Sequence, residues 1–274
     1  LLKTFFGIGG MTTLSRILGF IRDTVIARIF GAGLESDAFF VAFKIPNLFR
    51  RISAEGAFTQ AFIPILSEYK TQNSFLELKL FINKISTLLG LFLILITLLG
   101  VFGAPWIIYI TAPGFITNPE KYNLTVDLLK ITFPYIFFIS LVSMAGGILN
   151  TFGKFIVPAF TPVWLNISFI IGALFFADYF NQPAYVLAWS VFIGGILQLF
   201  FQIPFLKQIG CIPKLDFNFK DAGVWRVLKL MGPSILGVSV AQISLLINTI
   251  FASFLSIGSI SWLYYADRLL EFPA

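Results

Sequence analysis

The sequence contains no histidine and a single cysteine, Cys211, and only 12% of its 274 residues are charged. Each scarcity removes a class of function. One cysteine cannot build an internal disulfide framework, and without histidine the usual zinc sites and Cys–His nucleophile pairs cannot be assembled. The imidazole base, the commonest acid–base catalyst, is missing as well. No P-loop, HExxH or GxSxG pattern occurs, and no acid pair has metal-ligand spacing. Charge at about half of the roughly 25% usual in globular proteins leaves too little polar surface for a soluble domain. Transport is expected rather than catalysis, with no metal and no cofactor.

What is abundant is apolar: 58% hydrophobic residues, 34 of them Phe, and a mean hydropathy of +0.91. The uncharged run from Ile85 to Trp106 is long enough to cross the hydrocarbon core, which takes about 20 helical residues. No two-fold alternation over segments of about ten residues appears, so a transmembrane β-barrel is excluded. The fold class is therefore an all-α polytopic membrane protein. The first apolar run carries Arg16 and Arg22 and lacks a small-residue cleavage site, so it is expected to stay in the mature protein. The net charge of +6 does not point to nucleic acid, because the cations are scattered between apolar runs.

Eight helices are expected. The first runs from Thr4 to Phe30 and is closed by Gly31 and Gly33, since glycine readily takes the left-handed conformation that ends a helix. The second runs from Ser36 to Tyr69, kinked or broken by Pro46 and Pro64. The next four cover Leu80–Ile110, Asn123–Asn150, Val157–Phe176 and Ala184–Phe205. Lys207 to Lys220 is the most polar loop. The seventh helix spans Ala222–Leu255 with a bend at Gly232-Pro233, and an eighth begins over Ser259–Phe272. Short-loop cations set orientation. Lys3, Lys70, Lys79, Lys84, Lys154, Lys207, Lys214, Lys220, Arg226 and Lys229 fall on one side, against Arg28, Lys121 and Lys130 on the other. This places the N-terminus in the cytoplasm. A faint internal repeat aligns Gly33 with Gly258 and sets Lys44 opposite Arg268, as in two-lobe transporters.

Charge concentrates in Ser15–Tyr69, which holds Arg16, Arg22, Asp23, Arg28, Asp37, Lys44, Arg50, Arg51 and Glu55. A charge within a bilayer must face a partner or a hydrated cavity. Arg16 and Asp23 are seven residues apart on one helical face, and Arg22 beside Asp23 can form an ion pair. Arg28, further along, reads as an interface anchor. Asp37, Lys44 and Arg51 form a second seven-residue stripe, while Arg50 points about 100° from Arg51, so one of the two faces away from a cavity. Arginine binds phosphate bidentately and keeps its charge. A cavity of arginines inside a membrane therefore suits a phosphate or pyrophosphate. The competing reading is that they only hold helices together through Asp23, Asp37, Glu55 and Asp267. Asn248, in the middle of LLINTIF, is a candidate to bond a neighbouring helix or line the cavity.

The segments SRILGFIRDTVIARIFGAG, DAFFVAFKIPNLFRRISAEGAFTQAFIPILSEY and SWLYYADRLLEFP closely resemble the MurJ (MviN) family, the lipid II flippases of the multidrug/oligosaccharidyl-lipid/polysaccharide (MOP) exporter superfamily. The resemblance covers essentially the whole chain. It implies a six-helix N-terminal lobe over residues 1–208, then, over 209–274, a linker, helix seven and the start of helix eight of a second lobe. It implies movement of undecaprenyl-pyrophosphate-linked disaccharide-pentapeptide from the cytoplasmic to the periplasmic leaflet of the bacterial inner membrane, for peptidoglycan and cell-wall synthesis. The implied substrate-binding residues are Arg16, Arg22, Arg50 and Arg268, with Asp37 as an important acid and Asp23, Lys44, Glu55 and Asp267 as supporting charges. Arg50 is thereby favoured over Arg51. Some sodium-coupled relatives carry a carboxylate where Asn248 stands, so no sodium site is expected and any coupling is assigned to membrane potential. The partners implied are lipid II and membrane lipids, with the chain acting as a monomer. Because it opens without Met and stops inside the eighth helix, the chain is expected to be a fragment. The alternatives are a non-transporting remnant or assembly partner, or an exporter of another polyprenyl-linked sugar.

Overall fold

The computed structural model describes Leu2 to Glu271, with side chains throughout except at residues 2–6, 8, 52–55, 240–241 and 271. Glu55, one of the expected supporting charges, and Lys3, one of the orienting cations, have side chains outside the described residues, and Phe272 lies beyond them.

All regular structure among the described residues is helical. Helix α1 (Leu2–Phe30) ends at Gly31, whose φ of +60° is the left-handed turn expected there. Ser36 donates back to the carbonyls of Phe30 and Gly31, satisfying two acceptors at the end of α1. Next comes one unbroken rod of α2 (Leu34–Phe49), a π-helical segment (Arg50–Phe58) and α3 (Thr59–Gln72). Of the expected kink or break at Pro46, the break does not occur. A proline frees the carbonyl four residues back, here that of Ala42, and the Thr132 hydroxyl shares its hydrogen between that oxygen at 3.4 Å and the Leu129 carbonyl of its own helix at 3.3 Å. Re-satisfying a freed carbonyl from a neighbouring helix is how membrane helices tolerate proline.

Helices α4 (Phe75–Phe102), α5 (Ala104–Thr111), α6 (Pro119–Thr132) and α7 (Tyr135–Thr151) follow, with a 3-10 turn over Pro113–Thr117. Each long run expected here is divided at Gly103 or Phe133-Pro134. Ser74 and Glu77 cap α4 reciprocally. Gly100 has to lack a side chain, because a Cβ there would overlap the Phe133 ring. Short α8 (Ile156–Phe160), α9 (Pro162–Phe175) and α10 (Ala184–Gln208) come next, then an extended segment, α11 (Ala222–Ser253) and α12 (Ser259–Glu271). The two halves of α11, Ala222–Ser239 and Gln242–Ser253, meet at 42°, so the bend lies beyond Gly232-Pro233. The halves serve different neighbours: Val238 packs on Gly56 of the π segment, whereas Ser253 bonds the amide of Gly114.

The core is aromatic and centred on α2. Phe39, Phe43 and Phe169 meet with ring centroids 5.7–5.9 Å apart, in the offset and edge-on arrangements aromatic quadrupoles favour. The outer face of α4 is the reverse, an exposed strip of Leu91, Phe92, Leu95, Leu98 and Leu99. By length and composition four segments can cross a membrane, namely Phe75–Phe102, Pro119–Thr151, Ile156–Phe175 and Ala184–Gln208, with a fifth if the halves of α11 count as one. Helix α1 and the 34–72 rod, which carry the charges, are not among them. Several orienting cations gather at one end of the bundle. Lys70 bonds the Thr151 carbonyl, Lys84 meets Asp221, and Arg226 meets Glu68.

Candidate functional site

Arg16, Arg22, Arg50 and Arg268 all line one cavity of about 1100 Å³ between α1, α2, the π segment, α7, α9, α10 and α12. Arg51 lines it too. Arg51 also lines the smaller cavity beside α12, so the two neighbours, at the start of the π segment, divide between the two spaces as their angular offset leads one to expect. The face of α2 toward the cavity is Phe43 and Asn47, continued by Arg50 of the π segment, at spacings of four and three residues. Asn47 steadies Arg50, accepting from its Nε at 2.9 Å. Arg28 is exposed and outside the cavity.

Within the cavity the arginines have different company. Arg22 is held on two sides. Its Nε and Nη2 lie 2.8 and 2.7 Å from Asp23, and Nη1 donates to Asn166 at 3.0 Å. Asn166 in turn donates to the Ser15 carbonyl, so α9 fixes α1 through a residue that sequence reading passed over. Asp23 is shared further, accepting from Tyr264 at 3.3 Å and lying 3.8 Å from Arg268. The Arg16 guanidinium, by contrast, makes no hydrogen bond or ion pair among the described residues. Five arginines against one carboxylate, Asp23, leave the described lining with an excess of four positive charges.

Asp37 is not in this cavity. It is 0% exposed, and its two oxygens accept from Lys121 Nζ at 2.8 Å, Gly258 N at 2.8 Å, Ser261 N at 2.9 Å and Ser261 Oγ at 2.7 Å. Four donors fill what a carboxylate can accept. The expectation of Asp37 as a substrate-binding residue therefore gives way to a different placement: from α2 it caps the first turn of α12, where unpaired amides favour an anion. Lys121 is correspondingly not a loop cation marking topology but a buried partner. Two residues earlier Glu35 does the same for α10, accepting from Ala184 N at 2.9 Å.

The Asp37, Lys44, Arg51 stripe faces α12. Lys44 and Asp267 line a smaller cavity of about 120 Å³ with Arg51, Arg268 and Gln242, and Phe40 stacks on Tyr264 at 4.0 Å. Asn248 is exposed and lines neither cavity. No group of His, Cys, Asp or Glu is placed to hold a metal among the described residues. Beyond the apolar spans, Asp221 begins α11. Burial opposes its ionisation, but hydrogen bonds from Tyr69, Lys84 and the Gly223 amide outweigh it and hold the carboxyl below its ordinary range.

What such a site can do chemically is bind. Guanidinium groups in a largely apolar bundle offer forked donors to a phosphate and offset its desolvation.

The family model described as lipid II flippase MurJ matches residues 26–274. A probable lipid II flippase MurJ of Buchnera aphidicola subsp. Acyrthosiphon pisum is 53% identical over 273 residues, which is 100% of this chain and 53% of that protein. The lipid II flippase MurJ of Burkholderia cenocepacia is 47% identical over 277 residues, 100% of this chain and 54% of the relative. A solved structure of a lipid II flippase MurJ in an inward-closed conformation is similar with a TM-score of 0.81 at 33% identity, over 97% of this chain and 54% of that one. The chain thus spans about half the length of the curated relatives it matches.

Proposed function

The chain belongs to the MurJ family, and from that premise we propose that it supplies the ligand-capturing half of a lipid II flippase in the bacterial inner membrane. The observation that carries this reading is the convergence of five arginines on one cavity inside an apolar helical bundle. Arg16, Arg50 and Arg268 grip the pyrophosphate, with Arg22 pre-set by Asp23 and Asn166. The polyprenyl tail stays in lipid, and the headgroup crosses as two lobes rock about the site in alternating access. The first lobe is residues 1–208. Residues 209–274 are the linker and the opening helices of the second lobe, which α12 already docks onto the first. The end gathering Lys70, Lys84, Lys207, Lys214 and Arg226 is cytoplasmic, as the positive-inside rule requires, and the N-terminus lies on the same side. The withdrawal of Lys121 from the opposite tally sharpens that asymmetry.

A charge-assisted hydrogen bond contributes about 1.5–3 kcal/mol. Arg16→Ala should therefore weaken lipid II binding by the chain in lipid nanodiscs about ten- to a hundred-fold. Unchanged binding in both Arg16→Ala and Arg50→Ala would sink the assignment. One observation favours a second reading, in which the arginines mainly join helices: Asp23 already engages Arg22 and Arg268. That reading predicts no measurable lipid II binding by the unaltered chain.

A further inference from the structure

We propose that a cluster of uncharged groups on the α7–α10 side of the cavity is a second subsite, which takes a hydroxyl- or amide-bearing, uncharged part of the ligand. The inference rests on the reading that the arginines hold that ligand by its phosphates.

Four residues form the cluster: Gln198 and Gln202 on α10, Thr161 just before α9, and Tyr135 at the start of α7. All four line the cavity, and none is more than 2% exposed. The two glutamines are four residues apart and so share a helical face. Gln202 Nε2 donates to Thr161 Oγ1 at 2.8 Å, Gln198 Nε2 approaches the Thr161 carbonyl at 3.4 Å, and the Tyr135 hydroxyl reaches Gln198 Oε1 only at 3.5 Å.

Thr161 fixes which way the Gln202 amide points. Its single hydroxyl hydrogen is already given to the Val157 carbonyl at 2.9 Å, so its oxygen can only accept. It must therefore face the NH₂ end of Gln202. That leaves Gln202 Oε1 as the free end of the amide, a buried atom with no hydrogen-bond partner. An unmet buried acceptor is rare in folded proteins and calls for an explanation. Polar residues that merely join helices pair both ends. Here one strong acceptor is left over in the wall of a cavity, beside two stretched contacts that a better donor could replace.

The sign of the leftover group selects the ligand. A carbonyl oxygen repels a phosphate oxygen and accepts from O–H or N–H, so this wall rejects the group the arginines attract. It suits a sugar hydroxyl or a peptide amide. Gly146 and Gly147 of α7, which carry no side chains, line the cavity beside this wall. The site is thus bipartite, with cations from α1, the π segment and α12 facing a neutral wall that holds one unpaired acceptor.

Two probes separate the halves: lipid II, and undecaprenyl pyrophosphate, which keeps the tail and both phosphates but lacks sugar and peptide. With the chain in lipid nanodiscs, lipid II should bind the tighter. Gln202→Leu should weaken lipid II about five- to tenfold, the worth of a neutral hydrogen bond, and leave undecaprenyl pyrophosphate unchanged. Gln198→Leu should act in the same direction. Equal affinity of the unaltered chain for both probes, or a Gln202→Leu effect that is absent or identical for both, overturns the subsite while leaving the flippase reading intact. Binding of neither probe by the unaltered chain overturns both. If Gln202→Leu binds neither probe because it misfolds, the near-isosteric Gln202→Met decides by the same criterion.

Discussion

Asp23 and Asp37 are the same residue type, fourteen positions apart in the same charged stretch, and both meet α12. Their circumstances differ completely. Asp37 is sealed from solvent with four donors at 2.7–2.9 Å. Asp23 borders the cavity and divides its two oxygens among Arg22, a tyrosine at 3.3 Å and an arginine at 3.8 Å. The first carboxylate is committed to architecture. The second holds Arg22 closely and reaches Tyr264 and Arg268 only at longer range, at the edge of the cavity. A buried acid in a membrane protein therefore does not by itself mark a ligand site.

Breaking the committed member should have the largest effect. Asp37→Ala strands Lys121, and removing one partner of a buried pair costs about 3–5 kcal/mol. The melting temperature of the chain in detergent should fall sharply, and adding Lys121→Met should restore part of the loss. Equal melting temperatures for wild type and Asp37→Ala would mean that the clamp contributes nothing. Asp23→Asn should cost far less, about 1 kcal/mol or below, because water in the cavity solvates what it leaves. It releases Arg22 from the carboxylate that pre-sets it, so affinity for undecaprenyl pyrophosphate should fall; a rise would show that Asp23 competes with the phosphates for Arg22 and Arg268 rather than positioning them.

A third carboxylate tests the comparison by pH. Asp221 is held below its ordinary range, so its charged form is favoured in the folded chain. Its contribution is complete above the unfolded value of about 3.9 and disappears as pH falls through the lower folded value. The stability difference between wild type and Asp221→Asn should be constant near neutrality and shrink below about pH 4. The smallest effect belongs to the Glu68–Arg226 pair, which is bidentate at 2.8–2.9 Å but solvent-exposed. Glu68→Gln should leave the melting temperature unchanged within error, since exposed pairs are screened.

Much of this was legible in the sequence. Apolar runs gave the helices, and Gly31 the end of the first. The charges in those runs pointed to an arginine-lined cavity, and the family resemblance named Arg16, Arg22, Arg50 and Arg268, which the fold brings to one cavity. What was not legible depends on partners remote in sequence. Pro46 reads as a kink or break unless the Thr132 hydroxyl is known to lie near the Ala42 carbonyl, and the second cavity that Arg51 shares with α12 is closed by residues of α11 and α12 far along the chain. Lys121, in a loop-like Asn-Pro-Glu-Lys context, looks like a topology marker, because nothing local tells of Asp37 84 residues away. Glu35 and Asp37 look like ordinary first-turn acids of α2, yet they cap α10 and α12 instead. The orphaned oxygen of Gln202 follows from the direction of one threonine hydrogen bond, which no spacing encodes.

The clamp around Asp37 also imposes a timetable on biosynthesis. Its partners are separated from it by 84 residues for Lys121 and by 221 and 224 for Gly258 and Ser261. The ribosome delivers them in that order, at about 5–20 residues per second. Lys121 thus emerges many seconds before the amides of α12 exist. In that interval the nascent chain can neutralise the acid with the lysine while its remaining acceptor sites stay open. The arrival of Gly258 and Ser261 then closes the unit, making α12 the latch for a charge laid down 221 and 224 residues earlier.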